Sequence, residues 1–421
     1  MIREQLFDRI SLNASETDKF KTNFLSFFFS VPLDSRTVAE YALLPKVLMR
    51  GSENFPDMRT INRHLDRLYG AHISTTVFKR GERQVVGIFA SCLCNEYAFE
   101  KTDILKELIS TVREIFFLPL IKDGGFIPAY VESEKKNQTD FIMAQKNNKN
   151  QYALRRCQQE MCANETFGIS EQGTVEQVSA ITPVSLYKAY ERFIAQADID
   201  VFFVGRCDKD QLKADIKNML CGVKRDKVES FVPNIIKEVK EVKNIEEEMN
   251  ITQGKLTLGF RSGTSIYEKD YLSFSLFNEI FGGSPSSKLF MNVREKLSLC
   301  YYCSAVPEAH KGLLFVASGI EVENKEKAQR EILTQLDDIK NGNISDAEFD
   351  SAVKSLINGY SELNDDPQSL SLWYYSRMLA GISETPEQVC EKVRALTKED
   401  AVKAASGVVL DTVYLLKGAT H

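Results

Sequence analysis

A chain of 421 residues exceeds what one hydrophobic core usually holds, so two domains of about 200 residues each are expected. The net charge of -6, with both signs spread along the sequence, argues against nucleic acid or an anionic membrane as the main partner. The most apolar short stretches, 23–31 and 199–204, are well below the ~20 residues that a membrane-spanning helix requires. A soluble globular protein without a membrane segment is therefore predicted.

The nine cysteines are odd in number and follow no disulfide framework, as expected in a reducing compartment. The first residues show no basic segment, apolar core and cleavage site, so a cytoplasmic location is predicted. Two local pairs, Cys92-x-Cys94 and Cys300-x-x-Cys303, fall in predicted strands. Because residues three apart on a strand point to opposite faces, buried core thiols are favoured over a metal or redox site.

The first half of the chain alternates strand and helix patterns. Hydrophobic periodicity and turn residues predict the following elements in order: strands at 6–14 and 23–31, a Leu-rich helix at 39–49 ending at Gly51, a helix from 57 to about 70, a hairpin of 72–78 and 84–92, a long helix around 105–116, two helices between 128 and 162, a helix capped by Thr182-Pro183, and a buried strand at 199–204.

The second half repeats this order, beginning after a charged, aperiodic segment at 224–244 that is interpreted as a linker. Two domains at 1–223 and 245–421 are therefore predicted. Gly168-Ile-Ser-Glu171 recurs as Gly381-Ile-Ser-Glu384, at an offset of 381 − 168 = 213 residues. Since solenoid repeats run only about 20–50 residues, this spacing indicates a duplicated α/β domain.

One stretch of the second half carries several specific residues. Phe281-Gly-Gly-Ser-Pro-Ser-Ser-Lys-Leu-Phe290 is followed by Arg-Glu-Lys and by Leu-x-Tyr, a pattern that predicts a loop at Gly282 and Gly283, then a helix, then a strand. Arg294 and Tyr301 would then share a short corner and could grip an extended peptide. A phosphate-binding loop is disfavoured, because the lysine follows serine and precedes leucine.

These motifs resemble the second half of the insulinase (pitrilysin) metallopeptidase family, and the resemblance extends over about 6–418. It implies an α+β fold of two homologous α/β-roll domains, each an antiparallel sheet flanked by helices, that form half of a two-lobed clamshell. It also implies that Arg294 and Tyr301 are a substrate-binding pair. The family usually has glycine where Ser298 stands, so the sequence leaves open whether that helix closes with a left-handed cap.

The zinc motif of that family, His-x-x-Glu-His, is missing. Aligned on the glycine that follows the motif helix, its ligand and base positions fall on Ala42, Pro45 and Lys46, and the third ligand falls on Phe141. A methyl group, a proline ring and an ammonium cannot replace two imidazoles and a carboxylate. The stretch Ala42-Leu-Leu-Pro-x-Val-Leu-x-Arg-Gly-Ser52, with Leu68-Tyr-Gly-Ala71, also resembles a zinc-free bacterial branch of the family, whose members are typically encoded beside a zinc-bearing sister.

No other catalytic constellation is apparent in the sequence. There is no Gly-x-Ser-x-Gly elbow and no locally supported Cys/His arrangement, and Glu132 and Glu134 are interpreted as solvated helix charges. The histidines lack the tight spacing of a zinc site. They are His64, His72, His310 and His421.

The sequence therefore predicts a non-catalytic, zinc-free subunit of a heterodimeric metallopeptidase. Its expected partners are a zinc-bearing sister subunit with the His-x-x-Glu-His motif and a peptide substrate, and a homodimer is the alternative assembly when the chain is alone. No cofactor is expected in this chain, since zinc would belong to the sister. The alternative hypothesis is a scaffold or interaction protein of the same fold without a peptidase role.

Overall fold

The computed structural model describes residues 2–99, 102–228 and 231–418. Within these ranges no helix is long and apolar enough to cross a membrane. The strands are β1 (Ile2–Phe7), β2 (Ile10–Glu16), β3 (Thr22–Pro32), β4 (His72–Arg80), β5 (Arg83–Leu93), β6 (Ile121–Lys122), β7 (Gly125–Phe126), β8 (Asp198–Gly205), β9 (Lys243–Met249), β10 (Gly254–Arg261), β11 (Cys300–Glu308), β12 (Leu313–Ile320) and β13 (Val409–Gly418).

Most helical segments are α-helices, and short π-helical and 3₁₀ segments lie between them. The α-helices are α1 (Val38–Leu48), α2 (Met58–Arg67), α3 (Ile104–Phe117), α4 (Pro128–Ala144), α5 (Lys149–Met161), α6 (Val175–Ala180), α7 (Pro183–Gln196), α8 (Lys209–Leu220), α9 (Tyr271–Asn278), α10 (Lys325–Lys340), α11 (Asp346–Glu362), α12 (Pro367–Leu379), α13 (Pro386–Arg394) and α14 (Lys398–Ser406). Two segments, Glu279–Gly283 and Leu289–Lys296, are π-helical. Short 3₁₀ turns lie at Asn95–Tyr97, Thr166–Gly168, Val322–Asn324 and Leu363–Asp365.

The chain divides into two compact units, each assembled from three segments. Unit 1 comprises the described residues of Met1–Met143, Ile169–Phe231 and Pro367–Tyr375. Unit 2 comprises those of Ala144–Gly168, Val232–Asp366 and Ser376–His421. A segment from each half of the sequence therefore belongs to the unit built mainly from the other half.

Unit 1 contains a sheet in the order β1-β2-β8-β3-β5-β4, in which only the pair of β2 and β8 is parallel. Both faces of β3 are buried, because its side chains alternate between two cores. Phe27 and Phe29 face the helix-covered core, whereas Phe28 lies on the other face. There Tyr375, from the segment Pro367–Tyr375, stacks on Phe28 with ring centroids 4.3 Å apart.

Unit 2 contains a sheet in the order β11-β12-β10-β13-β9, in which only the pair of β9 and β13 is parallel. Leu314, Val316 and Leu415 face one core. The intervening residues of the same strands face a second core that includes Cys157 and Met161 of α5. The segment Ala144–Gly168 thus covers one face of this sheet, as Pro367–Tyr375 does in unit 1.

The two sheets have matching connectivity, which shows the duplication directly. Reading from β4 and from β11, both sheets place five strands in the same order, and the parallel pair occupies the same place. The helices that follow the repeated Gly-Ile-Ser-Glu motifs also match, since Thr174 and Thr385 each form a capping box. The same holds for Thr182 and Thr397 further on. The predicted α+β fold with two homologous domains is confirmed.

One detail of the predicted element order is wrong, and one predicted boundary overlaps a strand. The single strand expected at 6–14 is a hairpin of β1 and β2, which turns at Asp8 and Arg9 with Arg9 in the left-handed region at φ 53°. The predicted linker 224–244 overlaps β9, which begins at Lys243. Residues Glu229 and Ser230 of that linker lie outside the described residues, and the remainder before β9 forms neither helix nor strand. The domain limits at 223 and 245 stay a prediction, because the compact units are discontinuous in sequence.

Candidate functional site

The corner between the π-helical segment Leu289–Lys296 and β11 holds Arg294 and Tyr301. Leu289 and Val293 of that segment are buried in the unit 2 core, which fixes the helix against the sheet. The helix then closes through Ser298, whose φ is 50°, and the amide of Leu299 donates to the carbonyl of Val293 at 3.0 Å. The left-handed helix end that the sequence left open is therefore formed, with serine at the position where the family usually has glycine.

Tyr301 lies at a β-bulge on an edge strand. In the pairing of β11 with β12, Cys300 faces Ile320 and Tyr302 faces Gly319, so Tyr301 is an extra residue. A bulge re-aims the local side chains, and Tyr301 accordingly points to solvent with 58% of its surface exposed. The same bulge brings Cys300 and Cys303 to one face of the strand, where both are buried in the same core. The expectation that these cysteines face opposite sides is therefore wrong.

Arg294 and Tyr301 are brought into direct contact. The Nε–H of Arg294 donates to the carbonyl oxygen of Tyr301 at 2.9 Å, and its guanidinium carbon lies 4.5 Å from the centroid of the Phe290 ring. The hydroxyl of Tyr301 donates to Glu321 Oε1 at 2.5 Å. This hydrogen bond raises the pKa of Tyr301, so the phenol remains protonated and a donor.

An open cavity of about 390 Å³ adjoins this pair. It is lined by Arg294, Glu295, Ser298, Leu299, Cys300, Tyr301, Glu321 and Asn324. The polar groups converge beside the unpaired edge of β11, which is an arrangement suited to an extended chain.

Gly282 and Gly283 form no loop, contrary to the sequence prediction. They close the π-helical turn Glu279–Gly283 that continues α9. A Cβ atom on Gly282 would lie 2.7 Å from Leu289 Cδ1 and 2.8 Å from Ala305 Cβ. Glycine is therefore required there because the helix passes close to β11 and to the next helical segment.

The positions of the lost zinc motif lie on α1, facing α4. Ala42 and Pro45 are buried, and Lys46 donates from Nζ to Gln138 Oε1 at 2.5 Å. The same ammonium lies 5.1 Å from the centroid of the Phe141 ring. Burial lowers the pKa of Lys46, and the charge of Glu134 opposes this shift. These residues do not provide a set of zinc ligands, because the Lys46 ammonium lies among the polar groups.

Glu134 is not the solvated charge that the sequence suggested. It is buried on α4 and accepts a hydrogen bond from Arg50 Nε at 2.5 Å, whereas Glu132 on the same helix remains largely exposed. Gln138 in turn donates to the carbonyl of Gln172 at 3.0 Å. Sequence reasoning missed Gln138 and Gln172, because neither belongs to the zinc motif. The four-residue spacing of Glu134 and Gln138 on one helix face was the available signal.

The histidines have separate local partners. His64 Nε2 lies 3.0 Å from Thr111 Oγ1, and His310 Nε2 lies 2.8 Å from Ser376 Oγ. His72 is exposed, and His421 lies outside the described residues. Over 2–99, 102–228 and 231–418, no three His, Cys, Asp or Glu side chains are grouped closely enough to hold a metal ion.

The structure is that of a duplicated α+β protein with an Arg/Tyr corner and with Ala42, Pro45 and Lys46 at the positions aligned with the zinc motif. Residues 180–356 match the family described as "Peptidase M16 inactive domain". The "Probable inactive metalloprotease YmfF" of Bacillus subtilis (strain 168) is 34% identical over 403 residues, which cover 96% of this chain and 94% of that protein.

The chain therefore belongs to the insulinase (M16) metallopeptidase family as an inactive homologue, and the resemblance found in the sequence is confirmed. A conserved protein from Enterococcus faecalis V583 superposes with a TM-score of 0.92 at 26% identity, covering 100% of this chain and 99% of its own. A protease from Helicobacter pylori shares the fold with a TM-score of 0.81 at 13% identity, with 99% of each chain covered.

Proposed function

We propose that this chain is the non-catalytic, zinc-free subunit of a heterodimeric, cytoplasmic zinc endopeptidase and that it clamps the peptide substrate for a zinc-bearing sister subunit. The observation that carries the proposal is the Arg294/Tyr301 corner at the bulged end of the edge strand β11. In the same chain, the positions aligned with the zinc motif hold Ala42, Pro45 and Lys46. The chain then has a place to hold a peptide and none to activate water.

The clamp would act through backbone recognition. A peptide that adds to the edge of β11 gains main-chain hydrogen bonds, and the bulge at Tyr301 ends the regular ladder at a defined position. Arg294 donates its Nε–H to the Tyr301 carbonyl, and its Nη1 lies 3.1 Å from Glu295 Oε1, so Nη2 of the planar fork would donate to a peptide carbonyl. Tyr301 would exchange its bond to Glu321 for one to the substrate.

This division of labour assigns the chemistry to the sister subunit, whose zinc would activate the water. The present chain would contribute by holding one peptide bond in register with that zinc. Positioning alone is a large effect in catalysis, because a bound geometry replaces an improbable encounter. Variants of the clamp should therefore change turnover without changing the metal.

The test is reconstitution with the His-x-x-Glu-His sister, with cleavage, zinc content and complex formation measured together. Arg294→Ala should lower peptide cleavage tenfold to a hundredfold, since a lost charge-assisted contact costs about 1.5–3 kcal/mol, and Tyr301→Phe should lower it about twofold to tenfold, since a lost neutral hydrogen bond costs about 0.5–1.5 kcal/mol. Arg294→Lys should restore only part of the rate, because a flexible ammonium lacks the fork. Zinc content and complex formation should stay unchanged.

The chain offers two matched controls. Arg330→Ala removes an exposed arginine of α10. Tyr302→Phe removes a hydroxyl from the adjacent tyrosine, whose ring lies against Gly319 instead of pointing to solvent. Both controls should leave the cleavage rate unchanged.

A scaffold without a peptidase role is the second candidate, and one observation favours it. Arg294 and Tyr301 already satisfy each other and Glu321 within the chain, as a purely structural pair would. Full cleavage by an intact complex that carries both Arg294→Ala and Tyr301→Phe would leave the clamp without a role and support the scaffold.

A further inference from the structure

Two thiols share the core face of β11 because of the bulge between them. In a regular strand, residues three apart point to opposite faces. The extra residue at Tyr301 shifts the alternation, so Cys300 and Cys303 both enter the core of unit 2. Both thiols are buried there, with 8% of Cys300 and 3% of Cys303 exposed.

The two thiols differ in access and in character. Cys300 also lines the open cavity beside Arg294, whereas Cys303 lies behind it at 3% exposure. The neighbouring Cys303 thiol and the charge of Arg294 outweigh burial and lower the pKa of Cys300. The neighbouring Cys300 thiol and burial raise the pKa of Cys303. Cys300, which borders the cavity, is thus the candidate for the attacking thiol, and the deeper Cys303 is the candidate for the resolving thiol.

We propose that Cys300 and Cys303 form a peroxide-sensitive dithiol that oxidises to an intrachain disulfide across the Tyr301 bulge. The thiolate of Cys300 attacks one oxygen of hydrogen peroxide, and the O–O bond breaks to give a sulfenic acid and hydroxide. The sulfur of Cys303 then attacks the sulfur of that sulfenic acid. The S–O bond breaks, the S–S bond forms and water leaves. In sum, two thiols and one peroxide give one disulfide and two waters.

The disulfide would restrict the conformation of the neighbouring Arg294/Tyr301 corner. Tyr301 and Tyr302 lie between the two sulfurs in sequence, so the new bond fixes the bulge that directs Tyr301 to solvent. The carbonyl of Tyr301, which accepts from Arg294, belongs to the same four-residue loop. Any consequence for peptide binding rests on the proposed function, whereas the oxidation itself is a property of this chain alone.

The test uses the purified full chain and hydrogen peroxide, followed by iodoacetamide in denaturant and tryptic mass spectrometry. Both cysteines fall on one tryptic peptide, Leu297–Lys311. After peroxide this peptide should lose two hydrogens, carry no alkyl group, and recover two alkylation sites on reduction with dithiothreitol. The peptide with Cys157, a buried thiol directed at the carbonyl of Thr257, is the internal control and should remain alkylated.

Single variants separate the two roles. Cys303→Ser should leave Cys300 as a sulfenic acid that dimedone traps, and Cys300→Ser should leave Cys303 as unreactive as Cys157. Unfolding the wild-type chain in urea before peroxide should remove the preference for this peptide. The proposal is overturned if the peptide stays fully alkylated after peroxide, if Cys300 and Cys157 react at equal rates, or if Cys303→Ser yields no trapped sulfenic acid. Because no sister subunit is present, these outcomes do not depend on the clamp.

Discussion

Ser298 shows how one residue can adopt an unfavourable backbone conformation at the corner before β11. Its φ of 50° lies in the left-handed region, where a side chain costs roughly 1–2 kcal/mol. The corner nevertheless closes there, because Val293 and Leu289 hold the preceding helical segment in the core. The conformation of Ser298 is thus imposed by packing on either side of it.

Ser298→Gly should consequently stabilise the protein. Glycine adopts this φ without strain but loses more freedom on folding, so a net gain of about 0.5–1 kcal/mol is expected in urea unfolding. Ser304→Gly, at an exposed position of β11 with extended backbone, is the control and should destabilise by a similar amount. Equal destabilisation by both changes would show that the left-handed strain at Ser298 has no energetic weight.

At the scale of elements, α1 and α4 meet around an internal cation at the positions aligned with the zinc motif. Lys46 bonds Gln138 and lies near the Phe141 ring, so α1 and α4 meet through polar and cation–π contacts. Phe141 is also the residue that the sequence alignment placed at the third ligand. Its proximity to Lys46 supports that alignment.

This geometry predicts how zinc binding can be restored. Ala42→His, Pro45→Glu and Lys46→His together should bind zinc weakly, because the third ligand is still missing. Adding Phe141→Glu should tighten binding at least tenfold, since even outer-shell partners alter affinity by about 10–100-fold. Competition with a chromophoric chelator measures this, and Phe141→Gln in the same background is the neutral control. Equal affinities of the triple and Phe141→Glu variants would place the third ligand elsewhere.

The elements with strong hydrophobic periodicity could be predicted from the sequence, as could the duplication and the proximity of Arg294 to Tyr301. What escaped prediction depends on partners distant in sequence. The glycine in the π-helical turn at Gly282 is required by the close approach of Ala305, and the buried Glu134 is compensated by its hydrogen bond from Arg50. The bulge at Tyr301 is a matter of register with β12, which the sequence of β11 alone does not reveal.

At the scale of the whole molecule, buried ion pairs join segments from both halves of the sequence. Within unit 2, Glu165 pairs with Arg261 at 2.7 Å and with Lys311 at 2.8 Å, and Asp411 pairs with Arg261 at 2.9 Å. Glu165 comes from the segment Ala144–Gly168, so this network ties that segment to the second sheet. Removing one member leaves a buried charge short of a partner.

Glu165→Gln should therefore destabilise the protein by about 3–5 kcal/mol at neutral pH. Burial raises the pKa of Glu165, but Arg261 and Lys311 outweigh it and leave the pKa below its ordinary 4.5. A depressed carboxyl pKa stabilises the fold above pH 4.5 and loses that contribution as the pH falls. The wild-type and variant unfolding curves should thus converge in acid.

Glu246→Gln is the control for that experiment, because Glu246 pairs with Lys325 and Lys417 on an exposed surface. It should cost less than about 1 kcal/mol. If Glu165→Gln lowers the free energy of unfolding by the same amount at acid and neutral pH, the stabilisation does not come from the charge of the Glu165 carboxylate.

Limited proteolysis should cut first between Lys224 and Val242, where the described residues form neither helix nor strand. Fragments of about 25 and 20 kDa are expected, as for an exposed domain boundary. They should co-elute in gel filtration, since each compact unit contains segments from both fragments. Separation of the fragments without denaturant, or early cuts inside the sheets, would contradict this.

The segment Pro367–Tyr375 also sets the order in which the protein can finish folding on the ribosome. Phe28 and Phe202 are made early, yet the ring that covers them belongs to Tyr375. From the end of the preceding unit 1 segment at Phe231, the ribosome must add 375 − 231 = 144 residues before that ring exists. At about 5–20 residues per second this takes roughly 7–30 s. During that interval Phe28 and Phe202 lack the Tyr375 ring that covers them, so the nascent chain exposes an aromatic surface to which chaperones can bind.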